Sequence, residues 1–446
     1  MKKSLLLLAL TMTCLLTRAG GLMTNTNYHI AFDRMFARGA TTEIDAVFSN
    51  PAGLAWGHEG LQFSLNFQKP WQNRDIETSI PSFLAVPNVS PGYDFHEKYN
   101  GKASAPIVPA IFASYRQDRW TASGMIGIVG SGGFVKYDEG IPMFNVPLTA
   151  LMAQNGLAPG QYTLSSQMKG KQYIYGFQGN FTYRLTDFLS AAVGLRANYY
   201  DGYNRGFVKA DMGPTNLVDM QLDCIQRGWG FTPIVSVDFH QGPLTVAARY
   251  EFRTKVSTEN DTKQLSAIIA GKTPAETAAI LGPKMAAYQD GAKVRYDMPS
   301  LLTVAAQYEI TPQLRAAAEY HYFDDKSARM AGNRQELLEH GTHEVLLGVE
   351  YDIDDRFTVS CGGQRTDYGL SDGYQQHTSF ACDSYSIGLG GAVNLTDKIR
   401  LNVSYFCSLY NDYEVKSAGY QGTPYPGSDT YSRTNHVIGI GLDYKF

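Results

Sequence analysis

The regular alternation of apolar and polar residues restricts the fold of this chain more than any other feature. The last ten residues, VIGIGLDYKF, place five apolar side chains on one face: Ile438, Ile440, Leu442, Tyr444 and Phe446. A period of two with one wholly apolar face is typical of a β-strand lying against apolar surroundings. The same pattern recurs at residues 61–68, 172–183, 189–199 and 399–405. The sequence therefore predicts an all-β protein.

The breaks between these runs fall into two classes by length. Six are short enough for hairpin turns, namely 116–119, 185–188, 240–243, 310–313, 353–356 and 395–398. Seven are long, at about 70–107, 131–170, 201–226, 255–293, 325–340, 369–379 and 412–432. Thirteen connections join fourteen strands, and short turns at one end with long loops at the other are typical of outer-membrane barrels. We therefore predict a 14-stranded antiparallel transmembrane β-barrel over residues 61–446, ending in a terminal Phe that resembles an outer-membrane assembly signal.

Eight charged residues test the predicted barrel, because each lies inside a strand and opposite its apolar face. They are Arg196, Arg249, Arg315, Arg400, Glu251, Glu309, Glu319 and Glu350. An Arg that faces lipid at the bilayer midplane costs about 2–4 kcal/mol, so these side chains are expected to line the lumen. The alternative is the solvated outer face of a soluble β-sandwich.

The beginning of the chain predicts export. Met1-Lys2-Lys3 is followed by an apolar run over residues 4–16, and Thr17-Arg18-Ala19 offers small residues for cleavage after Ala19. This pattern indicates a secretory signal peptide over residues 1–19, since the run is too short to cross a membrane as a helix. Lipid attachment at Cys14 is the alternative, although Thr11 departs from the residue that the attachment motif prefers.

Composition agrees with an exported β-barrel. Cleavage would remove Lys2, Lys3 and Arg18 from the 38 basic residues, giving a net charge of −7 against 42 acidic residues. This balance argues against nucleic acid as a partner. The chain has 29 Tyr, 22 Phe and 44 Gly but only 18% charged residues, as expected for strands with one lipid-facing side.

The cysteines contribute little to the prediction. Cys224, Cys361, Cys382 and Cys407 form no CxxC pair, and their spacing specifies no disulfide. Cys361 and Cys407 fall on apolar strand faces, where a free cysteine behaves as a small apolar residue.

Residues 20–60 do not alternate and precede the first strand. They contain the stretch RMFARGATTEIDAVFSNPAGLAW (34–56), in which Pro51 restricts Asn50 and makes a rigid turn. This stretch, followed by fourteen predicted strands, resembles the FadL/TodX family of outer-membrane long-chain fatty-acid and hydrocarbon transporters. In that family an N-terminal hatch carries an Asn-Pro-Ala motif, matched here by Asn50, Pro51 and Ala52, with Gly53 following.

The resemblance implies that residues 20–60 form a hatch inside the lumen of a bacterial outer-membrane barrel. It also implies passive transport of a hydrophobic ligand (a fatty acid, a hydrocarbon or a detergent-like molecule) by a protein that we expect to be a monomer without a cofactor. A kink in the family's third strand lets ligand leave sideways into the membrane lipid. Glycine weakens strand pairing, so Gly124, Gly127 and Gly130 of the predicted third strand are the candidates for such a lateral opening.

Two loops have the apolar spacing of amphipathic helices. Leu148, Leu151 and Met152 follow helical spacing in one, and Leu265, Ile268 and Ile269 in the other. Downstream, Thr273 to Glu276 has the composition of a capping box. We expect these apolar residues either to form a surface groove that captures ligand or to pack on each other over the barrel rim.

Three other functions are compatible with an exported barrel. A general porin for polar solutes would have no hatch, and an adhesive barrel would bind partners through its loops. An outer-membrane lipid-modifying enzyme would need a convergent catalytic group, and no such spacing is evident. The stretch HGTHE (340–344) lacks the helical spacing of a metalloprotease motif, so we expect no metal site there and no enzyme.

Overall fold

The computed structural model describes residues 28–86, 90–278 and 286–446. The predicted signal peptide and residues 20–27 of the predicted hatch lie outside the described residues. Within them no helix is both long and apolar enough to cross a membrane.

Fourteen antiparallel strands, counted over the described residues, close into one barrel. Four of them are interrupted, so each consists of two paired segments. The strands are β1 Gly60–Phe83, β2 Tyr93–Ser104 with Val108–Gln117, β3 Trp120–Tyr137, β4 Thr163–Arg184, β5 Leu189–Met212, β6 Thr215–Gln241, β7 Leu244–Glu251 with Ser257–Ile269, β8 Lys293–Arg295 with Leu301–Glu309, β9 Leu314–Phe323, β10 Thr342–Asp352, β11 Phe357–Asp367, β12 Ser384–Thr396, β13 Ile399–Tyr410 with Tyr413–Ser417, and β14 Gly427–Lys445. The last strand pairs with the first from Gln62 opposite Lys445 to Ser79 opposite Ser428, which closes the barrel.

Short helices occupy the inside and one rim of the barrel. The α-helices are α1 Ile30–Met35, α2 Ala46–Ser49 and α3 Pro142–Gln154, and residues 274–278 are also helical. The 3₁₀ segments are Pro51–Trp56, Ala286–Tyr288, Asp325–Ser327, Ala331–Leu337, Asp372–Tyr374 and Tyr420–Gly422. The Thr273 amide donates to Glu276 at 2.8 Å, and the Glu276 amide donates to the Thr273 hydroxyl at 3.2 Å, so the capping box is present.

The six predicted short connections are confirmed, but two predicted long loops, 70–107 and 201–226, are mostly strand. Residues 201–226 form the end of the β5–β6 hairpin, whose register continues to Met212 opposite Thr215. Gly213 has a φ of 56° in the turn. Sequence periodicity missed this extension because the strands rise past the predicted membrane zone, where the outward face need not be apolar.

The two strand faces are reversed relative to those of a water-soluble protein. On β1, Phe63 and Leu65 are each 41% exposed, whereas Ser64 and Asn66 between them are buried. The apolar residues point outward and the polar residues point into the barrel, as in a barrel surrounded by lipid. The cysteines follow this division, with Cys361 exposed on the outward face and Cys224 buried.

Candidate functional site

The interior of the barrel is occupied by the segment that precedes β1. We call residues 28–59 the N-terminal segment. Helices α1 and α2 are buried along their whole length, and so are Pro51 to Ala55 of the following 3₁₀ turn. Inward-facing polar side chains of strands around the barrel bind the segment, so backbone N–H and C=O groups of the segment find hydrogen-bond partners in the wall.

The Asn-Pro-Ala-Gly turn is attached to the wall on several sides. The Asn50 amide and the Trp56 indole N–H each donate to the Asp238 carboxylate of β6 at 2.9 Å. The Thr182 and Ser190 hydroxyls donate to the carbonyl oxygens of residues 51 and 52, both at 2.8 Å. The turn therefore places its backbone where three neighbouring strands can bind it.

Gly53 is required by the close approach of the chain to itself. A Cβ atom at Gly53 would lie 2.3 Å from the Thr41 carbonyl oxygen, which is closer than any real contact. The motif therefore combines a rigid proline, an amide that reaches Asp238 and a residue without a side chain.

We predict that Asp238→Ala makes the Asn-Pro-Ala-Gly turn less stable without unfolding the barrel. The substitution leaves the Asn50 amide and the Trp56 indole without their buried acceptor, at a cost of about 1–3 kcal/mol for each unsatisfied donor. Hydrogen exchange over residues 46–56 should rise by at least tenfold relative to Asp238→Asn, which keeps an acceptor oxygen. Unchanged hydrogen exchange in Asp238→Ala would contradict the conclusion that Asp238 holds the turn against the wall.

Helix α1 lies against glycines of the opposite wall. A Cβ atom at Gly348 or at Gly362 would lie 2.3 Å or 2.0 Å from the Met35 carbonyl oxygen. At Gly388 it would lie 2.3 Å from the Asp33 carbonyl oxygen. Glycines within strands β10 to β12 therefore make room for the helix, and their clustering was a sequence signal that periodicity alone did not use.

Seven of the eight candidate lumen charges are buried or half-buried on the inner face. Glu350 pairs with Arg34 of the N-terminal segment and with Arg315 at 2.5 Å. Glu319 accepts from the Gly39 amide at 2.7 Å. Further contacts join Arg249 to the Phe48 carbonyl oxygen, Arg196 to Glu251, and Arg400 to Glu43 at 3.6 Å. Most of these charges are thus compensated by the segment or by each other.

Glu309 departs from this arrangement. It has the inward parity of its strand, but it is the last residue of β8 and is exposed to solvent. The prediction that Glu309 lines the lumen is therefore wrong, because strand parity does not show where the lumen ends.

The N-terminal segment also contacts the seam where the barrel closes. His29 Nε2 lies 3.1 Å from the Asp443 carboxylate of β14 and 3.0 Å from the Ser64 hydroxyl of β1. The Ile30 amide donates to Asn66 at 3.1 Å. Both seam strands are therefore joined to the segment as well as to each other.

The barrel wall is interrupted between β2 and β3. Pairing of these strands stops after Ala110 opposite Gly127 and resumes at Ser104 opposite Phe134. Within this interval, which we call the wall gap, β3 also shifts register twice against β4, at residues 128–130 and 131–133. A stretch in which the pairing with one neighbouring strand is interrupted is a weak part of the wall.

The three candidate glycines of the lateral opening have different positions relative to this gap. Gly130 lies within it. Gly124 and Gly127 lie below it, paired regularly with Ala113 and Ala110.

Tyr28 lies at the wall gap. It packs against the cluster of Ala105, Val108 and Ile128 at the gap, and also against the interior cluster that includes Phe48. Next to this interior cluster, a small cavity is lined by Phe48, Val129, Arg196, Glu251 and Phe323, among others. The N-terminal segment, the cavity and the gap are therefore contiguous.

The candidate groove residues are distributed differently from the prediction. Residues 262–271 were expected to be helical, but they belong to β7 and the turn after it, so that expectation is wrong. Leu148, Leu151 and Met152 of α3 are buried against Val208, Val218 and Met220, with Ile269 packed beside them. Ile268 faces outward and is 59% exposed.

A pocket nevertheless lies beside helix α3 at this rim. It encloses about 490 Å³, part of it open to solvent, and Leu265 is among its lining residues. The other lining residues include Phe144, Met168, Phe207, Val208, Met220 and Leu222. We call this the rim pocket. Its lining residues include no charged side chain.

The stretch HGTHE has no convergent geometry. His343 contacts the Tyr320 hydroxyl at 2.6 Å on the outward face, whereas Glu344 faces inward and lies 2.8 Å from His321. Over the described part of the chain, no group of three His, Cys, Asp or Glu side chains could hold a metal ion.

Comparison with known proteins places this architecture. No known family model matches the chain, and no curated protein matches it in sequence. Among solved structures, a FadL homologue from Pseudomonas aeruginosa is similar at a TM-score of 0.66 and 12% identity, covering 96% of this chain and 100% of that one. The toluene transporter TodX of P. putida is similar at a TM-score of 0.55 and 13% identity, covering 91% of this chain and 95% of that one. TbuX, the toluene transporter of Ralstonia pickettii, is similar at a TM-score of 0.55 and 14% identity, covering 94% of this chain and 100% of that one. The predicted resemblance is thus confirmed at the level of the fold.

Proposed function

We propose that this protein admits hydrophobic compounds, such as long-chain fatty acids or hydrocarbons, through a bacterial outer membrane by passive diffusion. The single observation that carries the proposal is the contiguity of the N-terminal segment, the interior cavity and the wall gap. Two of the structurally similar proteins, TodX and TbuX, are toluene transporters, which supports the same class of ligand.

The proposed route begins at the rim pocket. An apolar ligand gains about 0.8 kcal/mol for each CH₂ group that it buries, so partial burial there gives useful affinity. The ligand then passes to the interior cavity beside Phe48 and Val129. Movement of the N-terminal segment, including Tyr28, opens the wall gap, and the ligand leaves through it into the membrane lipid.

The contacts of the N-terminal segment argue against the porin alternative. An open porin needs a continuous aqueous path, but buried residues of α1, α2 and the Asn-Pro-Ala-Gly turn occupy the lumen. The proposed transporter needs this obstruction, because an open lumen would leak polar solutes.

Leu265→Asp and Ile268→Asp form a matched pair that tests the entry step. Both residues lie near the end of β7, but Leu265 lines the rim pocket whereas Ile268 faces outward. We expect Leu265→Asp to reduce uptake of a radiolabelled fatty acid or of toluene at least tenfold at low concentration, and less at saturation, because only capture is weakened. Ile268→Asp should transport normally.

Equal losses in both variants, or a loss for Leu265→Asp that does not depend on concentration, would place the entry step elsewhere. The unmodified protein is assayed in cells that lack other transporters of these compounds. If such cells take up neither the fatty acid nor toluene, the proposed function itself is contradicted.

A further inference from the structure

A row of like charges crosses four neighbouring strands on the outer surface of the barrel. Lys102 of β2 is opposite Lys136 of β3, Lys136 is opposite Lys169 of β4, and Lys169 is opposite Arg205 of β5. We call these four residues the basic row. Directly opposed like charges destabilise a sheet, so the row is unfavourable unless an anion compensates it.

The protein itself compensates only half of the row. Lys136 pairs with Asp138 at 2.5 Å, and Arg205 pairs with Asp223 at 2.8 Å. Lys102 and Lys169 form no ion pair with any residue that the structure describes. Two residues below Lys169, the Lys171 amine lies 2.5 Å from Asp201, which also contacts Arg227 at 3.3 Å. The patch therefore holds an excess of positive charge on a chain whose net charge is −4.

An aromatic row lies beneath the basic row on the same surface. Tyr175, Tyr199 and Trp229 are opposite one another on β4, β5 and β6. Their neighbouring ring centroids lie 6.4 Å and 4.8 Å apart. Such rows mark the interface between apolar lipid and water. Lys169 precedes Tyr175 by six residues, about 20 Å along the strand, or about 15 Å above the interface once strand tilt is included.

From this placement we infer that the basic row binds the phosphorylated sugar headgroup of a glycolipid in the outer leaflet. The lipid's acyl chains would lie along the apolar outer face, and its phosphates would fall between the aromatic row and the basic row. Ammonium groups bind phosphate as point charges, and Arg205 adds a planar donor. The inference rests on the proposed outer-membrane location.

The test uses purified protein in detergent and native mass spectrometry, so its failure speaks to the basic row and not to transport. The probes are bisphosphorylated lipid A, the same lipid without its phosphates, and inorganic phosphate. We expect the unmodified protein to bind the bisphosphorylated lipid at least tenfold more tightly than the dephosphorylated one. The combined variant Lys102→Gln, Lys136→Gln, Lys169→Gln and Arg205→Gln should lose this preference. The control Lys263→Gln, Lys416→Gln removes two exposed rim lysines and should keep it.

Lys102→Gln and Lys169→Gln keep the inference testable if the combined variant does not fold, because neither substitution breaks an ion pair with a described residue. Each should weaken lipid binding about fivefold, the effect of one cation near an anionic surface. Each should also raise the unfolding temperature in lipid-free detergent, because like-charge repulsion is relieved. Equal binding of both lipids, unchanged binding by the variants, or binding of inorganic phosphate as tight as that of the lipid would overturn the inference.

Discussion

Removal of residues 28–56 is expected to turn the closed barrel into a leaky pore. Because these residues fill the lumen and hydrogen-bond to its walls, their loss should admit small polar solutes. We expect steady conductance in planar bilayers and at least a tenfold rise in uptake of a small hydrophilic antibiotic. The barrel should remain folded, as judged by heat-modifiable gel mobility.

A cleavable variant separates this effect from faulty assembly. Glu59, in the short linker before β1, has a side chain that is 61% exposed, so a protease site placed there can be cut after the barrel has formed. Cleavage alone should raise conductance less than deletion, because the wall contacts still hold the segment. A deletion variant that folds but conducts no better than the unmodified protein would show that the segment is not the barrier.

Closing the wall gap is expected to stop uptake while the barrel stays intact. Gly130→Trp places a large side chain in the gap, so uptake of a hydrophobic ligand should fall at least tenfold with binding at the rim unchanged. Gly179→Trp is the matched control: it lies on β4 opposite Gly124, and a Cβ atom there meets no neighbour within 4 Å. Normal uptake by Gly130→Trp would exclude exit at this position.

A reversible version of this experiment uses one protein in two states. Ala105 and Ile128 belong to the same packed cluster across the gap, so cysteines at these positions, with the native cysteines replaced, can be joined by a short thiol-reactive cross-linker that contains a reducible disulfide. Cross-linking should abolish uptake and reduction of the linker should restore it. Uptake that is equal in both states, with the cross-link demonstrated by mass, would contradict a lateral exit.

The strands and turns could be predicted from the sequence because a lipid-facing strand must alternate. The β14 residues Ile438 and Ile440 are 52% and 50% exposed, whereas Val437 and Gly439, which alternate with them, are buried. Where the chain leaves the apolar zone the constraint ends, and residues 201–226 were mistaken for a loop. The prediction of a helix over residues 262–271 was wrong for a related reason. Leu265, Ile268 and Ile269 fit helical spacing, but the pairing of β7 with β6 determines the structure there.

The contacts of the Asn-Pro-Ala-Gly turn could not be predicted in the same way. The motif itself is visible, but its principal acceptor, Asp238, is 188 residues away from Asn50. Likewise, glycines 124, 127 and 130 predicted a weak third strand, but only pairing with β2 shows that the interruption begins above Gly127. Composition identifies a weak strand, whereas the position of the opening depends on register.

The contact of His29 with both seam strands has a consequence for biogenesis. His29 and Asp443 are 414 residues apart in sequence, and contacts between such distant residues form slowly because the intervening chain must first be ordered. The segment that obstructs the lumen thus also binds both strands of the seam that closes the barrel. In a chain whose barrel has not closed, β1 and β14 are not yet side by side, so the N-terminal segment cannot contact both of them. Obstruction of the pore and completion of the sheet are therefore coupled events. We expect an incompletely assembled molecule to leak solutes and to be cleaved by proteases more readily than the closed barrel.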